Sequence, residues 1–183
     1  MGRDELPQYF KKLGFKVGAE IGTYKGEFTE KFCKVGLKMF AIDPWLERNR
    51  QNRQDFLYEH TKRTLSPYLN CTIIRKTSMQ ALKDFKNESL DFVYIDGDHT
   101  FQAVYDDIGH WIKKVKIGGV VSGHDYFCTD LNAKNKLTDV SKAVDKYVAE
   151  NEIKNLRVFG RVKNPNKEGK NDKYLSWMFF KHW

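Results

Sequence analysis

The stretch that decides the fold is LDFVYIDGDH, residues 90–99. Leu90–Ile95 is apolar and rich in β-branched and aromatic residues, which is typical of a strand buried on both faces. Asp96–Gly97–Asp98 ends this strand, because Asp and Gly favour turns. A helix is predicted next, since apolar residues then recur at offsets of three and four: Phe101, Val104, Tyr105, Ile108, Trp111, Ile112 and Val115.

The same pattern of strands and helices continues on both sides of this unit. Further strands are predicted at Lys16–Ile21, Met39–Asp43, Cys71–Arg75, Val120–Ser122, Leu156–Val162 and Tyr174–Lys181. Further helices are predicted at Gly26–Val35, Glu47–Leu65, Met79–Phe85 and Val140–Glu150. Gly118–Gly119 is predicted to be the turn that precedes the fifth strand.

Alternating strands and helices predict an α/β fold, with a parallel sheet covered by helices on both faces. The last two strands are close in sequence with no helix between them, so one of them should run antiparallel. The chain contains no repeat and no linker-like segment, and we predict a single domain over residues 1–183.

Unusual polar residues follow the predicted strands, where ligands bind in open parallel sheets. These clusters are Glu20–Gly22, Asp43–Trp45, Thr77–Ser78, Asp96–His99 and Gly123–Tyr126. Each cluster alone could be an ordinary turn or helix cap. Five clusters at one edge of the sheet are hard to explain by structure alone, and they predict a binding site there.

The first cluster opens the segment EIGTYKG, residues 20–26. Gly22 and Gly26 would let the backbone approach a ligand closely, although a purely structural turn is the alternative. The segment is not the Gly-x-Gly-x-x-Gly fingerprint of dinucleotide-binding proteins. Glu20 would repel a pyrophosphate, but it would attract the ammonium group of a methionine moiety near a positive sulfonium.

Asp43 ends the second strand, where a carboxylate can accept hydrogen bonds from both hydroxyls of a ribose. An Asp–Pro turn with Pro44 is the structural alternative. Trp45 would either pack against the adenosine or close the core, and the sequence leaves both open.

These motifs resemble those of class I S-adenosylmethionine-dependent methyltransferases. Residues 19–29, AEIGTYKGEFT, resemble the first motif of that class, and residues 40–45, FAIDPW, resemble the second. The stretches at 91–99 and at 118–126, GGVVSGHDY, resemble the methyltransferase domain 24 family. The resemblance implies a Rossmann-like three-layer sandwich, with a mostly parallel seven-stranded sheet whose last strand is antiparallel.

The resemblance also implies which residues bind S-adenosylmethionine. Glu20, Gly22 and Asp96 would face the methionine part, Asp43 the ribose, and Ser78–Met79 the adenine. The complete predicted cofactor site is Glu20, Gly22, Thr23, Tyr24, Gly26, Thr29, Asp43, Pro44, Trp45, Ser78, Met79, Asp96, Gly97 and His99. Because few residues precede the first strand, recognition of the methyl acceptor is expected from the loops 126–137 and 164–171, or from another subunit.

Asp96, His124 and Asp125 are the predicted catalytic residues, because they follow neighbouring strands. Together they could bind a divalent metal ion that acidifies an acceptor hydroxyl. Related metal-dependent O-methyltransferases have an acidic pair where this chain has His124–Asp125, and imidazole is a poor ligand for magnesium. Alternatively, His124 is a metal-free general base, or neither His124 nor His99 takes part in the reaction.

O-methylation of a small hydroxylated acceptor, such as a sugar or natural product, is the predicted reaction. A net charge of +8 favours a nucleic-acid ribose methyltransferase as the alternative, although the basic residues are dispersed along the chain. A cofactor-binding module without catalysis is a third hypothesis, and Glu20 disfavours a fourth, a nicotinamide-linked reductase.

Composition limits the setting in which the protein works. The chain has 183 residues and no apolar run of the roughly 20 residues that a membrane span requires. Its first residues lack the apolar region of a secretory signal, and its 3 cysteines are few and widely spaced. We therefore predict a cytoplasmic protein with free thiols, and leave a homodimer as one option for its oligomeric state.

Overall fold

The computed structural model describes residues 1–46, 51–128, 137–160 and 173–183. Seven strands form one sheet: β1 (Val17–Ile21), β2 (Lys38–Ile42), β3 (Cys71–Ile74), β4 (Leu90–Ile95), β5 (Val115–Gly123), β6 (Arg157–Phe159) and β7 (Ser176–Phe180). Their order in the sheet is β3-β2-β1-β4-β5-β7-β6. The first five strands are parallel, and β7 runs antiparallel to both β5 and β6. The predicted fold class is confirmed, including the antiparallel last strand.

Helices cover both faces of this sheet. They are α1 (Leu6–Lys12), α2 (Glu27–Lys34), α3 (Gln51–Leu65), α4 (Ser78–Ala81), α5 (Phe101–Trp111) and α6 (Asp139–Glu150). Short 3₁₀ turns lie at Arg3–Glu5 and Leu82–Asp84. No helix in the described part of the chain is both long and apolar enough to cross a membrane.

The side chains of β4 alternate between two hydrophobic cores. Val93 and Ile95 pack with α5 and α6 on one face. Phe92 and Tyr94 pack with α1 and α2 on the other face. This alternation explains why the whole strand is buried, and it produces the three layers that the sequence predicted.

The region between α5 and β5 differs from the prediction. Val115 does not continue the helix; it is fully buried at the start of β5 and pairs with Leu90. The predicted turn at Gly118–Gly119 lies inside this strand, at a shift in register against β4. Gly118 has φ +80°, and a Cβ on Gly119 would come 2.4 Å from the carbonyl oxygen of Asp91. Glycine therefore allows an irregularity within the strand where the sequence indicated a turn.

Some of the segments predicted from the sequence lie partly or wholly outside the described residues. The helix predicted from Glu47 is described from Gln51 onwards, because residues 47–50 lie outside the described part of the chain. The loop at 164–171, and most of the loop at 126–137, also lie outside it. No element was predicted before β1, but α1 is present and buries Leu6 and Phe10 completely.

Candidate functional site

The strands end at one level of the sheet, which brings the predicted polar clusters together. The registers align the last residues of β1, β2 and β4, and the last residue of β4 with the end of β5. The next residues along the chain are Gly22, Asp43, Asp96 and His124. The strand order reverses between β1 and β4, which is where ligands bind in folds of this kind.

A cavity of about 570 Å³ lies at this edge and is lined by most of the predicted cofactor residues. They are Gly22, Tyr24, Asp43, Pro44, Ser78, Met79, Asp96, Gly97 and His99. A smaller cavity of about 170 Å³ shares Gly22, Tyr24 and Asp96 with the main one, and adds Glu20 and Thr23 from the predicted set. The two cavities are therefore neighbouring parts of one recess.

Three predicted cofactor residues, Gly26, Thr29 and Trp45, line neither of these two cavities, and their role in binding stays a prediction. Gly26 has φ +81° and faces the side chains of α3, so this glycine shapes the turn into α2. Thr29 is fully buried and donates a hydrogen bond to the carboxylate of Glu20. Trp45 is 3% exposed, and its indole N–H donates to the carbonyl oxygen of Tyr24 at 2.7 Å. All three lie next to residues that line the recess, and they help to hold those residues in place.

Asp43 organises the loops around the main cavity. Its Oδ2 accepts from the backbone N–H of Tyr24 at 2.9 Å, and its Oδ1 accepts from the N–H of Trp45 at 2.6 Å. Burial raises the pKa of Asp43 against the effect of these two hydrogen bonds. Each carboxylate oxygen keeps lone pairs for further donors, so this structural role is compatible with ribose binding.

Glu20 is a buried carboxyl group, with 1% of the residue exposed. Burial raises its pKa to about 8, although the hydrogen bond from Thr29 and the charge of Arg3 both act in the opposite direction. In the absence of a bound cation, Glu20 is therefore mostly protonated at neutral pH. A bound ammonium group would favour the ionised form, because opposite charges attract strongly where water is excluded.

Glu20→Gln should remove part of the pH dependence of stability. A pKa raised in the folded state means that the folded protein holds a proton that the unfolded chain has lost. The free energy of unfolding of the parent should therefore fall as pH rises from about 4.5 to about 8, the interval between the ordinary and the raised pKa. The slope from this group is at most about 1.4 kcal/mol per pH unit, and Gln at this position carries no such dependence.

Urea unfolding of parent and variant at several pH values measures this difference. Glu27→Gln, which removes an exposed carboxylate from the smaller cavity, controls for the change of net charge. Parallel stability curves for the parent and Glu20→Gln would show that Glu20 does not carry the raised pKa.

Two acids and two histidines meet beyond the ends of β4 and β5. Nε2 of His99 lies 3.2 Å from Oδ2 of Asp125 and 3.5 Å from Oδ1 of Asp96. Nδ1 of His124 lies 3.3 Å from Oδ2 of Asp125 and 4.0 Å from Oδ1 of Asp96. Asp125 has φ +55°, a left-handed conformation that is costly for a residue with a side chain. This backbone strain therefore lies at a residue of the polar cluster.

Charge within the cluster is balanced between the acids and the imidazoles. Burial raises the pKa of Asp125, but the hydrogen bond from His124 and the charges of His124, His99 and Arg3 outweigh it, so the net pKa is lowered. The pKa of His99 is raised, chiefly by its hydrogen bond with Asp96. Asp125 is thus held as an anion, and His99 is favoured as a cation.

The predicted metal ligands are close enough to share one ion. One ligand atom from each of Asp96, His124 and Asp125 lies within 4.8 Å of the other two. Divalent ions bind oxygen and nitrogen ligands at about 2.0–2.6 Å, so atoms this close can surround a single ion. The donor set of one imidazole and two carboxylates suits zinc, iron or manganese better than it suits magnesium.

Two residues that the sequence analysis missed also line the recess. Asp107 on α5 is 5% exposed, lines the main cavity and accepts a hydrogen bond from the hydroxyl of Ser78. Its burial raises its pKa to about 6. A signal was present, because Asp107 is an acid within the apolar face formed by Val104, Ile108 and Trp111. Arg3, which lines the smaller cavity, carried no comparable signal.

Comparison with known proteins agrees with this architecture. A family model described as a methyltransferase domain matches residues 19–126, more than half of the chain. The chain belongs to this methyltransferase domain family. The family resemblance predicted from the sequence motifs is therefore confirmed, and the matched segment of the chain contains all the predicted cofactor and catalytic residues.

Several solved structures share the fold of this chain. The O-methyltransferase of Bacillus cereus in complex with SAH is 14% identical, with TM-score 0.67 over 98% of this chain and 80% of that one. TomG of Streptomyces achromogenes, an O-methyltransferase involved in tomaymycin synthesis and solved with SAM, is 11% identical, with TM-score 0.68 over 98% and 79%. The N-methyltransferase NodS of Bradyrhizobium japonicum is 13% identical, with TM-score 0.63 over 99% and 95%. At these identities the likeness concerns the fold alone.

A relative by sequence is the uncharacterized protein y4gI of Sinorhizobium fredii. The two are 28% identical over an alignment of 114 residues, and the match covers 58% of this chain but only 12% of that protein. The match therefore covers a small part of a much longer chain.

Proposed function

We propose that this methyltransferase transfers the methyl group of S-adenosylmethionine to a hydroxyl group of a small acceptor, such as a sugar or natural product. The observation that carries the proposal is the position of Asp96. This residue lines both cavities of the recess, and it also faces His99 and His124 in the cluster at the ends of β4 and β5. It therefore joins a cofactor-sized recess to a group of candidate proton acceptors.

The main cavity has the size and the polar groups that the cofactor requires. Its volume of about 570 Å³ lies within the range of small-molecule sites. Ser78, Met79 and Asp107 would face the adenine, Asp43 the ribose, and Glu20 the ammonium group. The solved relatives bound to SAM or SAH support this choice of cofactor.

Bound S-adenosylmethionine would supply a methyl group on a positively charged sulfur, and the residues of the chain would prepare the acceptor. His124 would take the proton of the acceptor hydroxyl while the oxygen attacks the methyl carbon in line with the breaking carbon–sulfur bond. Asp125 would orient His124 through Nδ1, which leaves Nε2 as the basic nitrogen. A divalent ion held by Asp96, His124 and Asp125 is the alternative, since it would lower the pKa of the same hydroxyl.

A nucleic-acid ribose is the second candidate acceptor, and the net charge of +8 is the observation that favours it. The cluster of Asp96, His99, His124 and Asp125 is compatible with either acceptor, because both present a hydroxyl group. A cytoplasmic location, one domain over residues 1–183 and a homodimer stay predictions.

Asp43→Ala should weaken cofactor binding if Asp43 holds the ribose. A hydrogen bond to a charged group is worth about 1.5–3 kcal/mol, so each ribose hydroxyl that loses its acceptor should cost about this amount. Isothermal calorimetry with S-adenosylhomocysteine (SAH) measures the loss, and Asp43→Asn, which keeps one acceptor oxygen, should lose less. The parent should bind nicotinamide dinucleotides weakly or not at all. Tight binding of a dinucleotide would contradict the proposed function.

A further inference from the structure

Arg3 is fixed at the edge of the smaller cavity by the segment that carries it. Leu6 and Phe10 of α1 are fully buried in the core on that face of the sheet. The guanidinium carbon of Arg3 lies 4.2 Å from the ring centre of Phe28 and 5.3 Å from that of Tyr94. An arginine that packs against two neighbouring rings, next to a helix anchored in the core, is held in place before any ligand arrives.

The hydrogen-bonding capacity of Arg3 is only partly used. Its Nη2 contacts Oδ2 of Asp96 at 2.5 Å. Its Nε is buried and has no partner within the part of the chain that the structure describes. A guanidinium group has five N–H donors, and a buried donor without an acceptor is costly. Arg3 also lines the smaller cavity, so an acceptor on a ligand bound there could complete the hydrogen bonding of its guanidinium group.

The charges around the smaller cavity show which acceptor fits. Three acidic residues, Glu20, Glu27 and Asp96, line it together with two cations, Arg3 and Lys25. The acids match an ammonium group, but they would repel the carboxylate that an amino acid carries beside it. An α-amino acid group is therefore tolerated only where a cation faces its carboxylate. Arg3 is the cation with the fixed position and the planar pair of donors that carboxylates prefer.

We propose that Arg3 binds the α-carboxylate of the methionine part of the cofactor. The proposal rests on the function proposed above and adds the residue that recognises this end of the molecule. Nη2 keeps its contact with Asp96, and the guanidinium N–H groups at the cavity bind the carboxylate while Glu20 faces the ammonium group. Asp96 divides its oxygens accordingly, with Oδ2 towards Arg3 and Oδ1 towards the two histidines.

The test compares two ligands that differ only in this carboxylate. Calorimetry measures the affinity of the parent, Arg3→Ala and Arg3→Gln for SAH and for its decarboxylated analogue, which keeps the ammonium group. Both variants should bind SAH about 10- to 100-fold more weakly than the parent, as expected for loss of a charged hydrogen-bonding pair. Their affinity for the decarboxylated analogue should change by less than about threefold. If Arg3→Ala fails to fold, Arg3→Gln still decides, because it keeps the length and polarity of the side chain.

Lys25→Ala tests the other cation of this cavity in the same way, and it should change the affinities for both ligands by the same small factor. An equal loss for both ligands in the Arg3 variants would mean that Arg3 only supports the wall, and would overturn the proposal. Loss that is specific for SAH in Lys25→Ala would overturn it as well. A parent that binds neither ligand would instead contradict the proposed function itself, together with this assignment.

Discussion

His124→Ala and Asp125→Ala should each lower turnover by about 10²–10⁴-fold, the contribution expected from a general base and the group that orients it. Affinity for SAH should stay within about threefold of the parent, since a substitution outside a binding site changes little. Neither residue lines the two cavities of the recess. His124 instead lies beside Asp96, which lines both cavities, and beside Asp125. Loss of turnover without loss of cofactor binding is the signature of residues that act on the acceptor.

Single-turnover kinetics and calorimetry on the same preparations separate the two quantities. His60→Ala, on α3, removes an imidazole away from the cluster and serves as the matched control. Activity that a chelator abolishes and one divalent ion restores would assign the cluster to a metal site. Activity that is indifferent to chelator would leave His124 as the base. Parental turnover in both alanine variants would show that the pair is structural.

The sequence predicted most of the fold because burial leaves a clear pattern in this chain. The bounds of β4, Leu90–Ile95, were predicted to the residue, since an apolar run closed by Asp-Gly-Asp has few alternatives. The failure at Val115 has a physical cause. Its spacing from Ile112 and Ile108 continues the helical period, and only its pairing with Leu90 shows that the chain has already entered a strand.

The site was predicted less completely than the fold, for reasons that particular residues show. Asp43 and Asp96 directly follow strands and Glu20 lies at the end of β1, so topology alone placed them at the recess. Trp45 could not be assigned, because an aromatic side chain after a strand suits a core as well as a ligand. Arg3 pairs with Asp96 across 93 positions of sequence, and no local pattern reports a contact of that kind.

Gly22→Ala should lower the free energy of unfolding by about 2–5 kcal/mol, the sum expected for a left-handed alanine and a backbone overlap in a packed region. Gly22 has φ +86°, and a Cβ there would lie 2.2 Å from the carbonyl oxygen of Asp96 and 2.5 Å from Cα of Gly97. The contact atoms belong to the backbone after β4, so they cannot move aside as a flexible side chain could. The loops after β1 and β4 would separate, and both line the main cavity.

Gly14→Ala provides the matched control for this substitution. Gly14 has nearly the same dihedral angle, φ +84°, but a Cβ there would meet nothing within 4 Å. It should therefore cost only the conformational penalty of about 1–2 kcal/mol. Urea unfolding of both variants isolates the cost of the overlap, and calorimetry with SAH should show weakened binding for Gly22→Ala alone. Equal stability losses in the two variants would mean that the loops after β1 and β4 relax freely, and that their close approach does not hold the recess in shape.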